Sequence, residues 1–361
     1  MSLSTRTVAF YLPQYHRIPE NDLWWGEGFT DWYNVSKARP LFPGHEQPDF
    51  PGELGCYDLL DESARLAQSE LDLLHGIDAF CYHHYWFSGR RLLEGPLNQV
   101  LESGTPQIPF CISWANEDWT RQWSGSGEVL VKQTYSAKDD AEHGLWLASV
   151  MQDPRYLRVQ EKAVLLVYRA FALPEPRRTG ALWRQIARDE GAGEVLLCSV
   201  RSSRKEHGDP GSIGFDAAVE FQPDWRRLRP SIIRSATAKA VRAMGIPLDL
   251  GPRYTLFDYH ALVAAPREER TRGFPLFPCV TPGWDNSPRR TRNAIVVQGS
   301  TPGKYRTWVA DRAREGSPLL FVNAWNEWAE GCHLEPGARW GRAYLEAHRD
   351  ALAQVMAEDS K

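Results

Sequence analysis

The sequence predicts an α/β protein built on a closed (β/α)8 barrel of the TIM type, with elaborated loops on the C-terminal face. Three observations carry this. Short apolar, β-branched or aromatic runs recur eight times along the 361 residues. Helix-like stretches separate several of them, the alternation that right-handed crossovers between parallel strands produce. The length fits as well, since such a barrel takes about 250 residues and more once its loops grow.

The strands expected from these runs are Val8–Leu12, Ile77–Tyr82, Phe110–Trp114, Val164–Tyr168, Val195–Val200, Ala217–Phe221, Leu276–Val280 and Leu319–Ala324. Each is short, and most are apolar throughout, as a strand buried on both faces is. Helices are expected over Asp61–Leu74, Leu92–Leu101, Ala137–Val150, Thr179–Glu190, Tyr259–Ala265, Pro302–Ala313 and Arg342–Met356. The whole chain, 1–361, reads as one barrel domain with insertions at residues 13–60 and 222–256. Both insertions are too long for plain βα connections and belong over the C-terminal face, where this fold builds its sites. The second carries Arg226, Arg227, Arg229, Arg234 and Lys239, and a solvated surface segment explains that run equally well. Neither a G-x-G-x-x-G after the first strand nor a G-x-x-x-x-G-K-[ST] occurs, so both nucleotide-binding loops are missing.

Composition narrows the function. With 46 acidic against 42 basic side chains the net charge is −4, without the cationic surplus that nucleic acids or anionic membranes select. No long apolar run suggests a membrane span, and the N-terminus shows no signal-peptide pattern. The six cysteines have no CxxC or finger spacing, and four lie in strand-like runs, so buried free thiols in a reducing cytoplasm are expected. No feature speaks to an oligomeric state. The unusual quantity is aromatic: 15 Trp, 13 Tyr and 14 Phe.

Those aromatics gather just beyond the apolar runs. Near the end of the first strand stands Tyr11, followed by Gln14 and His16, then Trp24, Trp25, Glu27 and Trp32. The second ends in His83, His84 and Tyr85, and the third in Trp114, Asn116 and Glu117. Past the seventh stand Trp284, Asp285 and Asn286; past the eighth, Trp325, Asn326, Glu327, Trp328 and Glu330. In a barrel, these ends converge on one rim. Indole faces stack on the C–H faces of sugar rings while carboxylates, amides and imidazoles take the hydroxyls, so an oligo- or polysaccharide is the expected partner.

Glycosidic chemistry requires two carboxyl groups flanking the anomeric carbon. Glu327 and Glu330 suit this, three residues apart beyond an apolar strand with Gly331 to permit a turn. The same string also fits a helix N-terminus with Asn326 as its cap. Trp24, Trp25 and Trp32 fit lid packing as well as ligand stacking. His83 and His84, being adjacent on a strand, point to opposite faces, which disfavours joint metal ligation. No metal site is expected.

Taken as strings, Phe10-Tyr11-Leu12-Pro13-Gln14-Tyr15-His16, Trp24-Trp25-Gly26 through Asp31-Trp32, Trp114-Ala115-Asn116-Glu117, Gly283-Trp284-Asp285-Asn286-Ser287-Pro288-Arg289 and Asn323-Ala324-Trp325-Asn326-Glu327-Trp328-Ala329-Glu330-Gly331 resemble the WbsX family. That family is described as glycosyltransferase WbsX or lipopolysaccharide biosynthesis protein and is grouped as glycoside hydrolase family 99-like. The resemblance runs from Thr7 to Leu352. It implies the barrel and, through the family 99 endo-α-mannosidases, a retaining, cofactor-free and metal-free mechanism. By that resemblance Glu327 is the general base acting on the sugar's own 2-hydroxyl, with a 1,2-anhydro intermediate, and Glu330 the general acid and then base. Ala329 stands where the mannosidases have His. The alternatives are a glycosyltransferase of O-antigen or lipopolysaccharide assembly, for which no Asp-x-Asp is present, and a carbohydrate-binding protein without catalysis.

Overall fold

The computed structural model describes residues 5–121, 128–230, 243–244, 254–265, 273–290 and 293–360. Arg234 and Lys239 of the expected basic insertion lie outside the described residues, as does most of the segment between them and Leu256.

Eight strand positions form one parallel sheet that closes on itself. They are β1 (Arg6–Tyr11), β2 (Ala79–Phe87), β3 (Phe110–Trp114), β4 (Lys162–Val167), β5 (Val195–Arg201), β6 (Ala217–Glu220), β7 in two pieces (Leu276–Phe277 and Cys279–Val280) and β8 (Leu319–Val322). Each pairs with its sequence neighbours, and β8 returns to β1 with Arg6 opposite Leu319 and Ala9 opposite Val322. β7 is divided because Pro278 has no N–H to give. Its first piece pairs with β6 and its second with β8, where the Phe321 N–H reaches the Pro278 carbonyl at 2.8 Å. The sheet is therefore a (β/α)8-type barrel, as the alternation of runs predicts.

The barrel strands are apolar end to end because both of their faces are covered. Helices cover the outer face: α3 (Glu62–Leu74), α4 (Gly95–Ser103), α5 (Ala137–Met151), α6 (Pro176–Asp189), α8 (Pro302–Ala313) and α9 (Ala343–Asp359). Their starts obey local rules. Asp61 caps α3 by accepting from the Ser63 N–H, Ser136 caps α5 through the Asp139 N–H, and Thr301 caps α8 ahead of Pro302.

The connections after β1, β6 and β7 depart from a minimal barrel. Residues after β1 form two short helices, α1 (Pro19–Trp25) and α2 (Trp32–Lys37), neither legible as periodic sequence. A three-stranded accessory sheet joins Tyr254–Asp258, Ala294–Gln298 and Trp284–Asp285. The short helix α7 (Tyr259–Val263) follows directly from that sheet, and between β5 and β6 the described chain makes only 3-10 turns. No helix among the described residues is long and apolar enough to cross a membrane.

Candidate active site

The candidate site is built on a hairpin beyond β8. Asn326–Glu327 pairs antiparallel with Cys332–His333, and the turn between them is a single 3-10 turn over Trp328–Glu330. Gly331 closes it with φ +59°, and a Cβ there would stand 3.0 Å from the backbone nitrogen and Cβ of Asp285. Only glycine satisfies both the left-handed conformation and that contact. Asn326 ties the hairpin to the end of β1: its Oδ1 accepts from the Leu12 N–H at 2.8 Å and its Nδ2 donates to the Leu12 carbonyl at 3.0 Å. The Trp328 N–H donates to the Tyr15 hydroxyl at 3.0 Å. These bonds set where the two glutamates project.

Both glutamates meet Arg289, which follows β7. One guanidinium nitrogen, Nη1, stands 3.1 Å from Glu327 Oε2 and 3.3 Å from Glu330 Oε1, and Nη2 is 3.0 Å from Glu327 Oε1. Asp31 binds the same Nη2, and Gln14 Nε2 bridges Asp31 at 2.5 Å and Glu327 Oε2 at 3.3 Å. Three carboxyl groups thus surround one guanidinium, with Asp31, Glu327 and Arg289 all buried. Burial opposes the charge on Arg289, but Asp31, Glu327 and Glu330 more than offset it and hold the guanidinium firmly protonated. Burial pushes the Glu327 carboxyl up to about 8; Arg289 pulls it back, and Glu330 and Asp31 push it further. Glu330 is different in setting, its side chain remaining 23% exposed.

This cluster opens onto a cleft of about 790 Å³ across the C-terminal ends of the barrel strands. Gln14, His83, Tyr85, Asn116, Glu117, Trp119, Tyr168, Arg169, Lys205 and Glu206 line it together with Arg289 and Glu327. Burial lowers His83 to about 4, so its imidazole is a neutral hydrogen-bonding group there. Asn116 and Glu117 shape the far wall: the Asn116 amide accepts from the Arg169 N–H at 2.8 Å and donates to the Arg169 carbonyl at 3.0 Å, while the Arg169 Nε donates to Glu117 at 2.6 Å.

Other residues singled out by sequence lie elsewhere. His84 faces the helices, stacked on Trp146 at 4.2 Å and bonded to His143 at 3.1 Å, so the pair does diverge as strand geometry requires. Tyr11, Trp114 and Trp325 are fully buried among core residues. Trp328 is buried too, its indole N–H donating to Glu335 at 2.5 Å; Trp32 gives its own to the Tyr57 carbonyl at 2.7 Å. His16 is buried beside Gly95. Trp24 stands 6.2 Å from Trp119, Trp25 stacks on Phe29, and Glu27 is exposed. Asn286 is consumed by the Ile295 N–H at 2.7 Å. Trp284 and Asp285 face a second cavity rather than the cleft. The aromatic rim is therefore partly a core: Trp32 and Trp328 give their N–H groups to a carbonyl and an acid under the loops, while Trp325 packs inside with its N–H unpaired.

Sequence reasoning missed Arg289, Asp31 and Glu335. The first two sit inside conspicuous strings, but their pairing spans 258 positions and leaves no local signature. Glu335 collects three donors, from Trp328, from Gln68 at 2.6 Å and from Tyr57 at 2.8 Å. Burial pushes it up to about 7 against the pull of those bonds. Tyr11 acts at one remove, donating to Gln68 at 2.7 Å. No three His, Cys, Asp or Glu side chains among the described residues converge as a metal site.

Comparison with known proteins supplies the family. The model described as glycosyltransferase WbsX matches residues 7–348. The chain belongs to the WbsX family. Two proteins of Xanthomonas campestris pv. campestris, each called uncharacterized protein WxcX, are 44% (strain B100) and 43% (strain ATCC 33913) identical over 98% of this chain. The chain spans about half the length of these relatives, 50% of each. Among solved structures, a GH99 endo-α-mannosidase from Bacteroides thetaiotaomicron superposes with TM-score 0.58 at 14% identity, covering 99% of both chains. A protein described as glycoside hydrolase-like gives TM-score 0.62 at 13% identity over 97% of this chain and 94% of its own. At that identity the likeness is one of fold. Family and fold together support a carbohydrate-active enzyme.

Proposed function

We propose that this WbsX-family chain is a retaining, metal-free glycosidase that cleaves within a bacterial surface polysaccharide or its lipid-linked precursor, using Glu327 and Glu330. The observation that carries the reading is the pair of glutamates held by one buried arginine, with Glu327 and that arginine lining a polar and aromatic cleft. Its division of labour follows from the two environments. Glu327 is immobilised through both oxygens and carries a raised pKa, which makes its ionised form a stronger base than an ordinary carboxylate. Glu330, partly open to water, is placed to protonate the leaving oxygen and then to be restored through solvent. A base acting on the substrate's own 2-hydroxyl leads to a 1,2-anhydro sugar, which water opens with net retention. Protons balance: Glu327 takes one from the 2-hydroxyl as Glu330 gives one to the leaving group, and ring opening returns both.

The cleft residues supply the rest. Tyr85 and Trp119 meet edge to face at 4.9 Å and offer apolar surface to a pyranose, while Asn116 and Glu117 are held rigid by Arg169. The six cysteines stand unpaired, five of them buried, which supports a reducing, cytoplasmic setting. The transferase reading keeps one support, the description of the family itself.

The test is a screen of the purified chain against bacterial surface polysaccharides, with products followed by anomeric NMR. Glu327→Gln and Glu330→Gln serve as controls. Cleavage with early accumulation of the retained anomer, lost by about 10²–10⁴-fold in each variant, is the expected result. Sugar transfer from a nucleoside diphosphate sugar without hydrolysis would replace this reading by the transferase one.

A further inference from the structure

A second cavity, of about 430 Å³, lies on the other side of the catalytic hairpin. Its walls come from three separate places: the segment after β1, the accessory sheet with Trp284 and Asp285, and the chain from Gly331 into α9. Gly331, the residue after Glu330, lines this cavity. The cavity shares none of its lining with the cleft around Glu327.

Its chemistry is selective. Trp340 is 40% exposed at its edge and meets Tyr344 edge to face at 6.2 Å, leaving an indole face for a flat apolar partner. Two imidazole–carboxylate pairs line the wall, His45 with Asp285 at 2.8 Å and His333 with Asp49 at 3.1 Å. The Ser300 and Tyr344 hydroxyls add a third polar pair at 2.8 Å. The lining carboxylates are Glu46, Asp49, Asp285 and Glu335, against one guanidinium, Arg339, which Glu46 occupies. Leaving Glu335 aside, Glu46, Asp49 and Asp285 still outnumber the one guanidinium, which disfavours a phosphate, nucleotide or uronate. Oriented planar acceptors beside an open indole suit instead the hydroxyls and C–H face of an uncharged sugar. Metal binding is not the alternative, since no three ligating side chains converge among the described residues.

We propose that this cavity is a second carbohydrate-binding site, separate from the reaction cleft, which takes a neutral sugar unit of a glycan chain on Trp340 between the Asp49 and Asp285 carboxylates. It shares with the functional reading above only that the ligand is a glycan, and it stands whether or not the cleft cleaves one. A site of this kind anchors a long polymer while the cleft works on another stretch of it, adding effective concentration rather than chemistry.

The experiment uses the full chain carrying Glu330→Gln, so that nothing is consumed. It is applied to an array of neutral and uronate-bearing oligosaccharides, with UDP-glucose as the anionic control. Neutral oligosaccharides are expected to bind. In the same background Trp340→Ala, at a half-open position, should weaken that binding by about three- to tenfold. Asp49→Asn should do likewise, with thermal midpoints of both variants checked to confirm folding. Trp119→Ala, in the cleft, should leave this component in place. Binding of no neutral oligosaccharide, binding of the acidic ones alone, or neutral binding insensitive to both Trp340→Ala and Asp49→Asn would each overturn the proposal. If the wild-type chain cleaves nothing while this binding persists, only the functional reading fails.

Discussion

The pH dependence of kcat/KM distinguishes the roles of the two glutamates, because it reports the groups of the free enzyme. The assay uses an aryl glycoside of whichever sugar the polysaccharide screen identifies, since an aryl leaving group needs no proton and isolates the base. With Glu327 at about 8, only roughly one molecule in a hundred carries it ionised at pH 6, and about half do at pH 8. As the base, it should therefore give a rate that rises by roughly fifty-fold over those two pH units and then levels. As an acid it would give the reverse, a fall through the same region. Its neighbours allow a second check. Asp31 pushes Glu327 upward and Arg289 pulls it down. Asp31→Asn should move the limb to lower pH, and Arg289→Gln should move it higher. Removing one partner from a buried ion cluster costs about 3–5 kcal/mol, so Arg289→Lys, which keeps the charge, accompanies it as the variant that folds. A descending limb near 8, or a limb that Asp31→Asn drives upward, would refute the assignment of Glu327 as base.

Stability should carry the same titration with opposite consequence. A carboxyl raised in the folded state contributes stability that is full below its unfolded value and is lost as pH rises through about 8. Wild-type Tm should therefore fall between pH 5 and pH 9, and Glu327→Gln should flatten that fall by an amount on the order of a few kcal/mol, read by calorimetry. Asn326→Ala removes both bonds to the Leu12 backbone and should destabilise the fold by about 2–4 kcal/mol in urea unfolding, with kcat falling more than KM changes. Glu335→Ala strands the donors of Trp328, Gln68 and Tyr57 together, so a loss of at least about 3 kcal/mol is expected, against a much smaller loss for Glu335→Gln.

The barrel was legible because a strand buried on both faces leaves an unbroken apolar run, and all eight runs became strands. Pro278 even sits where β7 divides. The short helices after β1 and the accessory sheet were not legible. Pro19–Trp25 and Tyr254–Asp258 have too few residues to show a period, and the second is held by pairing with Ala294–Gln298, distant in sequence. The site divides the same way. Glu327 and Glu330 stood out because a local string, fixed by a hairpin and one glycine, places both. Arg289, Asp31 and Glu335 take their meaning only from partners that the fold delivers across the barrel.

The tryptophans make that distinction concrete. A surplus of 15 beside polar strand ends suggested one surface for sugar rings. Instead, Trp114 and Trp325 fill the core, and Trp328 spends its indole N–H on Glu335. Trp119 lines the cleft, while Trp284 and Trp340 line the second cavity. Composition counts indoles but not which way each turns, and the turn is decided by packing across the fold: Trp325 is fully buried although its N–H has no partner, whereas Trp328 finds an acceptor. Where an acceptor waits, as Glu335 does for Trp328, the ring stiffens the hairpin that carries the glutamates. Where the ring keeps an open face, as Trp340 does, it is available to a ligand. One hairpin meets both sites: Glu327 lines the cleft, while Gly331, His333 and Glu335 wall the second cavity. A substitution such as Gly331→Ala, which forces that segment against Asp285, should therefore impair both sites at once, whereas Trp340→Ala should impair one.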